Sequence, residues 1–81
     1  MHKELFEHLY NYMEEHNKLP RYIKEEVNDS FTYEDKLSIL IGRLCIPENG
    51  GIETVMKVLG LKFDEREYKN LVYSYFDIYI G

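Results

Sequence analysis

The middle of the chain constrains the fold more than any other part, because residues 32–46 are apolar on almost every side when drawn as a helix. Ile39 and Ile46 lie nearly opposite the main apolar face, so only a narrow polar strip through Lys36 and Arg43 is left. A helix with this pattern has to be covered by other elements from several sides. The sequence therefore predicts a central buried helix, with a main face of Tyr33, Leu37, Leu40, Ile41, Leu44 and Cys45.

The rest of the chain reads as shorter amphipathic segments that can pack on such a helix. Residues 2–17 fit a first helix, and residues 52–79 fit a helical hairpin with its turn near Gly60. Residues 20–27 fit a short helix or a strand, and the last ten or so residues, 70–80, also alternate well enough for a strand. A capping pattern at Asp64 and Glu67 favours helix there. The prediction is one all-α domain over residues 1–81, a compact bundle of four to five short helices.

Composition narrows the function classes. The 81 residues suffice for one small domain, and the formal charge of −5 argues against general binding to phosphate groups and suits a basic partner. No apolar run approaches the roughly 20 residues of a membrane span, and no signal peptide is recognisable. The single cysteine, Cys45, is expected to be a buried, inert thiol, and the lack of a disulfide framework predicts a reducing compartment. We therefore expect a soluble, cytoplasmic protein that does not associate with membranes.

No motif in the sequence predicts catalysis, a cofactor or a metal site. The three histidines lack the His-x-x-x-His or cysteine pair from which a zinc site is built. There is no Gly-x-Ser-x-Gly, and Gly50-Gly51 has no following lysine that would make it a phosphate loop. The expectation is a protein that is not an enzyme, with no cofactor, no metal and no small-molecule substrate.

In the segment 54–71, Val55 and Leu59 fit the core of one helix, Gly60 and Leu61 fit a turn, and Tyr68 and Leu71 fit the core of a second helix. With this pattern the segment resembles the helix-turn-helix of DNA-binding regulators. That resemblance implies an alternative function as a transcriptional regulator, with Lys57, Lys62, Arg66 and Lys69 as contacts to DNA. The pattern departs from the family at the start of its second helix, where Asp64, Glu65 and Glu67 would face bases and phosphates and repel them. Nucleic acid is therefore not the partner that we expect.

The first helix also carries an acidic stripe, which lies opposite its apolar face and covers about 100° of arc. Tyr12 flanks this stripe, while Tyr73 and Asp77 are predicted to face outward from the last helix. Tyrosine is favoured at protein interfaces because it buries a large rigid ring and keeps a hydrogen-bonding tip. We take these three residues as candidate partner-binding residues, together with the stripe itself, Glu4, Glu7, Asn11, Glu14 and Glu15.

These features predict a small acidic module that binds a protein without catalysis. Small acidic helical proteins of this type include phage or mobile-element antagonists of host enzymes and immunity proteins that block nucleases. The carboxylates would steer the protein to a basic surface of a larger partner, including one that binds nucleic acid, and the tyrosines would anchor it there. A homodimer through surplus apolar surface at Ile39 and Ile46 is compatible with either function.

Overall fold

A computed structural model describes residues 2–19, 21, 24 and 31–79, with the backbone alone for residues 78 and 79. Every regular element in this described part is helical. A 3₁₀ turn at Pro47–Asn49 joins the second helix to the third. The four α-helices are α1 (His2–Glu15), α2 (Tyr33–Leu44), α3 (Gly51–Gly60) and α4 (Glu65–Tyr79).

The predicted all-α bundle with a central apolar helix and a C-terminal hairpin is confirmed. The alternative of a strand near the end of the chain is wrong as far as residue 79, because α4 continues to that point. The predicted element at 20–27 lies mostly outside the described residues. Within it only Arg21 and Lys24 are described, and both are helical and exposed.

Helix α2 is the element on which the others pack, since α1, α3 and α4 all contact it. It begins after Thr32, whose hydroxyl oxygen accepts a hydrogen bond from the backbone N–H of Asp35 at 3.1 Å; a threonine followed by an acidic residue three positions on predicts this cap. It ends at Cys45, a buried free thiol, where burial raises the pKa to about 11. The apolar side chains that α2 buries are Leu37, Leu40, Ile41 and Leu44.

The polar strip of α2 differs from the prediction at two positions. The pattern places Lys36 toward solvent and Tyr33 in the core, but Lys36 is only 7% exposed and Tyr33 is 39% exposed. The ammonium nitrogen of Lys36 lies 4.7 Å from the centroid of the Tyr33 ring and 5.8 Å from that of Phe6. The aliphatic stem of a lysine buries readily, and aromatic faces attract its charge, which explains the exchange. We call Phe6, Tyr33 and Lys36 the lysine cluster.

Helix α1 ends two residues before the predicted position because Asn17 adopts a left-handed backbone, with φ of 55°. The N–H of Lys18 then donates to the carbonyl oxygen of Met13 at 2.8 Å, and this bond closes the helix end. The turn places Leu19 back in the core. Asparagine tolerates this conformation better than other side chains except glycine, so one residue sets the length of α1.

Helices α3 and α4 pack together as the predicted hairpin. The sequence pattern suggests a left-handed Gly60 at the end of α3, and this is wrong: Gly60 is the last helical residue, and the described glycines with positive φ are Gly50 and Gly51. The structure gives another reason for glycine at position 60. A Cβ there would lie 2.9 Å from the hydroxyl oxygen of Tyr68, which is buried beneath it.

Candidate protein-binding face and groove

Helix α1 exposes its acidic stripe while its other side forms core. Leu5, Leu9 and Met13 on the inner side are fully buried. At about 100° per residue, the stripe residues lie one or two positions from these core residues in sequence, and so they fall on the opposite side of the helix and point to solvent. One helix therefore anchors the bundle and presents carboxylates. All five stripe residues are exposed, and we call them the acidic face: Glu4, Glu7, Asn11, Glu14 and Glu15.

The carboxylates of the acidic face have different surroundings. The Oε2 atom of Glu14 lies 3.8 Å from the Nζ of Lys24, with both side chains about half exposed, a pair that contributes up to about 1 kcal/mol. The pKa of Glu4 is lowered from its ordinary value, chiefly by a hydrogen bond with the N-terminal amino group and then by its own backbone. Glu7 and Glu15 have no ion pair among the residues that the structure describes. The negative charge of the face is thus least compensated at these two positions.

A groove borders the acidic face, between α1 and the end of α3. It has a volume of about 550 Å³ and is open to solvent along one side. Leu61, at the end of α3, is 75% exposed and contributes an apolar side chain to the groove. Asn11 and Glu15 belong both to the acidic face and to the rim of the groove, so the two are continuous. The groove is lined by His8, Asn11, Tyr12, Glu15, His16, Val58 and Leu61.

Two imidazole rings in the groove are held by backbone carbonyls. The Nε2 of His8 donates to the carbonyl oxygen of Val58 at 2.8 Å and so ties α1 to α3. The Nδ1 of His16 donates to the carbonyl oxygen of Tyr12 at 2.9 Å, and the two rings stack with centroids 4.0 Å apart. These bonds fix the walls of the groove. No three histidine, cysteine or acidic side chains of the described residues are placed to hold a metal ion.

The structure brings some of the predicted binding residues together and leaves others apart. Asn11, Tyr12 and Glu15 meet in the groove. Tyr73 is 46% exposed and Asp77 is exposed, as predicted, but both lie on α4, whose main packing partners are α2 and α3. Neither of them lines the groove. The best-defined candidate site is therefore the acidic face with its groove.

The beginning of α4, which would be the start of a recognition helix, is capped by its own carboxylates. The N–H of Asp64 donates to the Oε2 of Glu67 at 2.9 Å, and the N–H of Arg66 donates to the Oδ1 of Asp64 at 3.0 Å. The predicted capping pair is thus confirmed, and it occupies amide groups that could otherwise face a phosphate. Two of the four cations considered for DNA also have carboxylate partners: Arg66 with Asp64, and Lys69 with Glu65.

The sequence did not reveal the groove, because the groove depends on the packing of α3 against α1. His8, His16 and Val58 have no distinguishing spacing in the sequence. Leu61 offered the one available signal, since it is an apolar residue placed just after the end of a helix. It fitted the turn position of a helix-turn-helix, and the structure places it in the lining of the groove.

Comparison with known proteins gives no match, either to a family model or among curated proteins and solved structures. In the part of the chain that the structure describes, no helix has the length and apolar content that crossing a bilayer requires.

Proposed function

We propose that this protein is a non-catalytic binding module that covers a basic surface on a larger protein. The observation that supports this most is the acidic face of α1, where five polar side chains are exposed on one side of one helix. Glu7 and Glu15 have no ion pair within the described part of the chain. Carboxylates grouped in this way attract a lysine- and arginine-rich surface and speed the encounter with it.

The role that we propose is that of an inhibitor, antagonist or immunity-type protein, of the phage or mobile-element kind, acting in the cytoplasm. Its small size and net charge of −5 suit a protein that competes with nucleic acid for a basic surface. Occlusion of a surface needs no catalytic group, and the histidines of the groove are engaged with backbone carbonyls. The exposed Tyr73 and Asp77 on α4 would extend the contact area of a large partner.

Capture from a lysate of the native host tests this proposal when two double variants are compared. Glu7→Lys with Glu14→Lys reverses charge on the acidic face, and Glu48→Lys with Glu53→Lys makes the same change in net charge at exposed positions elsewhere. We expect the wild type and the second variant to retain the same protein at low salt and the first variant to lose it. Equal retention by both variants, or retention that does not fall as salt is raised, would contradict the proposal. Circular dichroism confirms that each variant is folded.

The alternative function, a helix-turn-helix regulator, is favoured by one observation, the packing of α3 against α4 as a helical hairpin. A gel-shift assay with random duplex DNA at low salt separates it from the first. We expect no shift, because the carboxylates of Asp64 and Glu67 cap the start of α4. A shift that Lys57→Glu with Lys62→Glu removes would establish the regulator instead.

The predicted homodimer is a separate question. Ile39 and Ile46 are only partly buried in the monomer, so each leaves some apolar surface on α2 and just beyond it. Sedimentation at micromolar concentration, comparing wild type with Ile39→Glu, tests whether that surface pairs with a second copy.

A further inference from the structure

We infer that the groove beside the acidic face receives one basic side chain of the partner, a lysine or an arginine. This inference rests on the proposed function, because it identifies the part of the basic surface that inserts. The groove volume of about 550 Å³ lies within the range of roughly 300–1,000 Å³ that is typical of small-ligand sites. A long side chain therefore has room to enter.

The walls of the groove differ in a way that matches such a side chain. Val58 and Leu61 make one wall apolar, while Asn11 and Glu15 on the rim supply a carbonyl oxygen and a carboxylate. Lysine and arginine carry a charged head on an aliphatic stem. They bind most favourably where the stem packs on apolar side chains and the head contacts polar or charged groups. The stem would pack on Leu61 and the head would meet Glu15.

The aromatic wall favours the same occupant. Tyr12 and His16 stack with centroids 4.0 Å apart, and the bond from His16 to the Tyr12 carbonyl holds the pair in place. A cation beside a tyrosine is attracted by the ring. The phenol oxygen of Tyr12 can also accept a hydrogen bond from an ammonium or guanidinium group. An aromatic ring beside a carboxylate is thus already placed at the groove before any partner arrives.

The protein shows elsewhere how it holds a basic side chain. In the lysine cluster, Lys36 is buried with its ammonium 4.7 Å from the centroid of Tyr33, so a tyrosine of this chain already accommodates a lysine. Lys62 lies over the ring of Phe63, at 5.8 Å from its centroid, and is not a lining residue of the groove. No cation–π contact to Tyr12 is formed by the described residues.

An apolar side chain, from a partner or from a second copy of this chain, fits the groove less well. It would cover Leu61 but would also remove water from the Glu15 carboxylate without giving it a partner, which costs free energy. A basic side chain covers the same apolar wall and compensates the charge. We therefore assign the site to a cation, and the binding of a neutral side chain becomes an outcome of the test.

The experiment is a titration of ¹⁵N-labelled protein, followed by NMR, with blocked tripeptides of the form glycine-X-glycine. X is arginine or lysine in the binding arm and citrulline or norleucine in the neutral arm. We expect arginine and lysine to shift the amide signals of Asn11, Tyr12, Glu15 and Leu61 with millimolar affinity. The neutral peptides should bind about two- to fivefold more weakly, since an exposed ion pair contributes no more than this. Equal shifts with norleucine and lysine would overturn the inference in favour of an apolar occupant.

Two variants make the outcome specific to the groove. Glu15→Gln keeps the shape of the rim and removes its charge, and we expect the preference for arginine over citrulline to be lost. Glu7→Lys with Glu14→Lys changes the acidic face outside the lining of the groove, so it should leave the shifted residues the same. Arginine-induced shifts spread evenly over the acidic face, or a preference that Glu15→Gln leaves intact, would overturn the inference.

The two proposals can fail separately. Loss of host-protein capture in the Glu7→Lys and Glu14→Lys variant, with no arginine-induced shifts in the groove of the wild type, would keep the proposed function and reject the inserted side chain. Arginine-specific shifts at the groove, with equal host-protein capture by both double variants, would keep a cation-binding groove and reject the acidic face as the binding surface.

Discussion

The two flanks of α1 use similar residues for different purposes. On the side of α2, Phe6 meets Tyr33 with ring centroids 5.8 Å apart, and the buried Lys36 supplies the cation. On the side of α3, the stack of Tyr12 on His16 borders an open groove with Glu15 at its rim. On the first flank, the protein itself supplies both the tyrosine, Tyr33, and the basic side chain, Lys36. On the second flank, it supplies Tyr12 and Glu15, and we propose that the partner supplies the lysine or arginine.

This comparison shows that residue type alone does not separate packing from binding. What separates them is which helix covers each flank and how far along α1 it reaches. Helix α2 runs beside α1 and brings Lys36 with it. Helix α3 meets α1 at the His8–Val58 hydrogen bond, and its end leaves Leu61 exposed. Substitutions on one flank should therefore leave the other flank unchanged.

The largest effect is expected when the central helix loses volume. Leu40→Ala removes a fully buried side chain, and we expect the free energy of unfolding to fall by about 2–5 kcal/mol. Leu61→Ala is the matched control at the groove, where the change should stay within about 0.5 kcal/mol because that side chain is exposed. Urea denaturation followed by circular dichroism measures both. Similar losses in the two variants would mean that the groove is part of the core.

The thiol of Cys45 tests the burial of the same helix by chemistry. Burial raises its pKa from an ordinary 9.0 to about 11, so at pH 8 the native thiolate is about a hundredfold scarcer. We expect the reaction with a disulfide reagent to be slowed by about that factor, relative to protein unfolded in urea. The folded protein holds the thiol proton more tightly than the unfolded chain does, because its pKa is raised. The contribution of this group to the free energy of unfolding is therefore constant below pH 9 and decreases as the pH rises toward 11. A native thiol that reacts as fast as the unfolded one would contradict the burial of α2.

A charge reversal in the lysine cluster is expected to lower the free energy of unfolding, whereas a charge reversal at the groove is not. Lys36→Glu places a carboxylate against the rings of Phe6 and Tyr33, and we expect a loss of about 1–3 kcal/mol in the free energy of unfolding. Lys36→Met keeps a stem of similar length and should cost less. Glu15→Lys, on the exposed side, should stay within about 0.5 kcal/mol. If Lys36→Glu is as stable as the wild type, the charge of Lys36 contributes nothing to the free energy of unfolding. The two flanks of α1 would then not differ in their response to a change of charge.

The smallest effect is expected at the ion pair between Glu14 of the acidic face and Lys24. Lys24→Ala removes the partner of Glu14, and we expect a change of no more than about 0.5–1 kcal/mol in the free energy of unfolding. The same variant makes the face more negative, so its affinity for a basic partner should rise. A stability loss well above this range would show that Glu14 holds the fold together instead of being free for a partner.

The parts of the fold that depend on local periodicity were predictable from the sequence. Helix α2 follows from the spacing of Leu37, Leu40, Ile41 and Leu44. The caps at Thr32 and Asp64 follow from residue types three positions apart. The acidic face follows from the spacing of glutamates on α1, because exposure of one side of a helix is set when the other side is buried.

Features that depend on a neighbouring helix were not predictable. Lys36 is buried because Phe6, thirty residues earlier in the sequence, lies against it. A Cβ at Gly60 would contact the hydroxyl of Tyr68, a closeness that the sequence of α3 alone does not reveal. The groove likewise depends on where α3 ends beside α1. In each case the sequence specifies the residue, and only tertiary packing specifies what it contacts.

The account depends most on the claim that the position of the carboxylates on α1, and not the overall charge, directs binding. The direct measurement is the association rate constant between the captured host protein and each double variant, at several salt concentrations. We predict a reduction of about tenfold or more for Glu7→Lys with Glu14→Lys, and a rate for Glu48→Lys with Glu53→Lys close to that of the wild type. Equal reduction in both variants would show that net charge alone is responsible and would contradict the account.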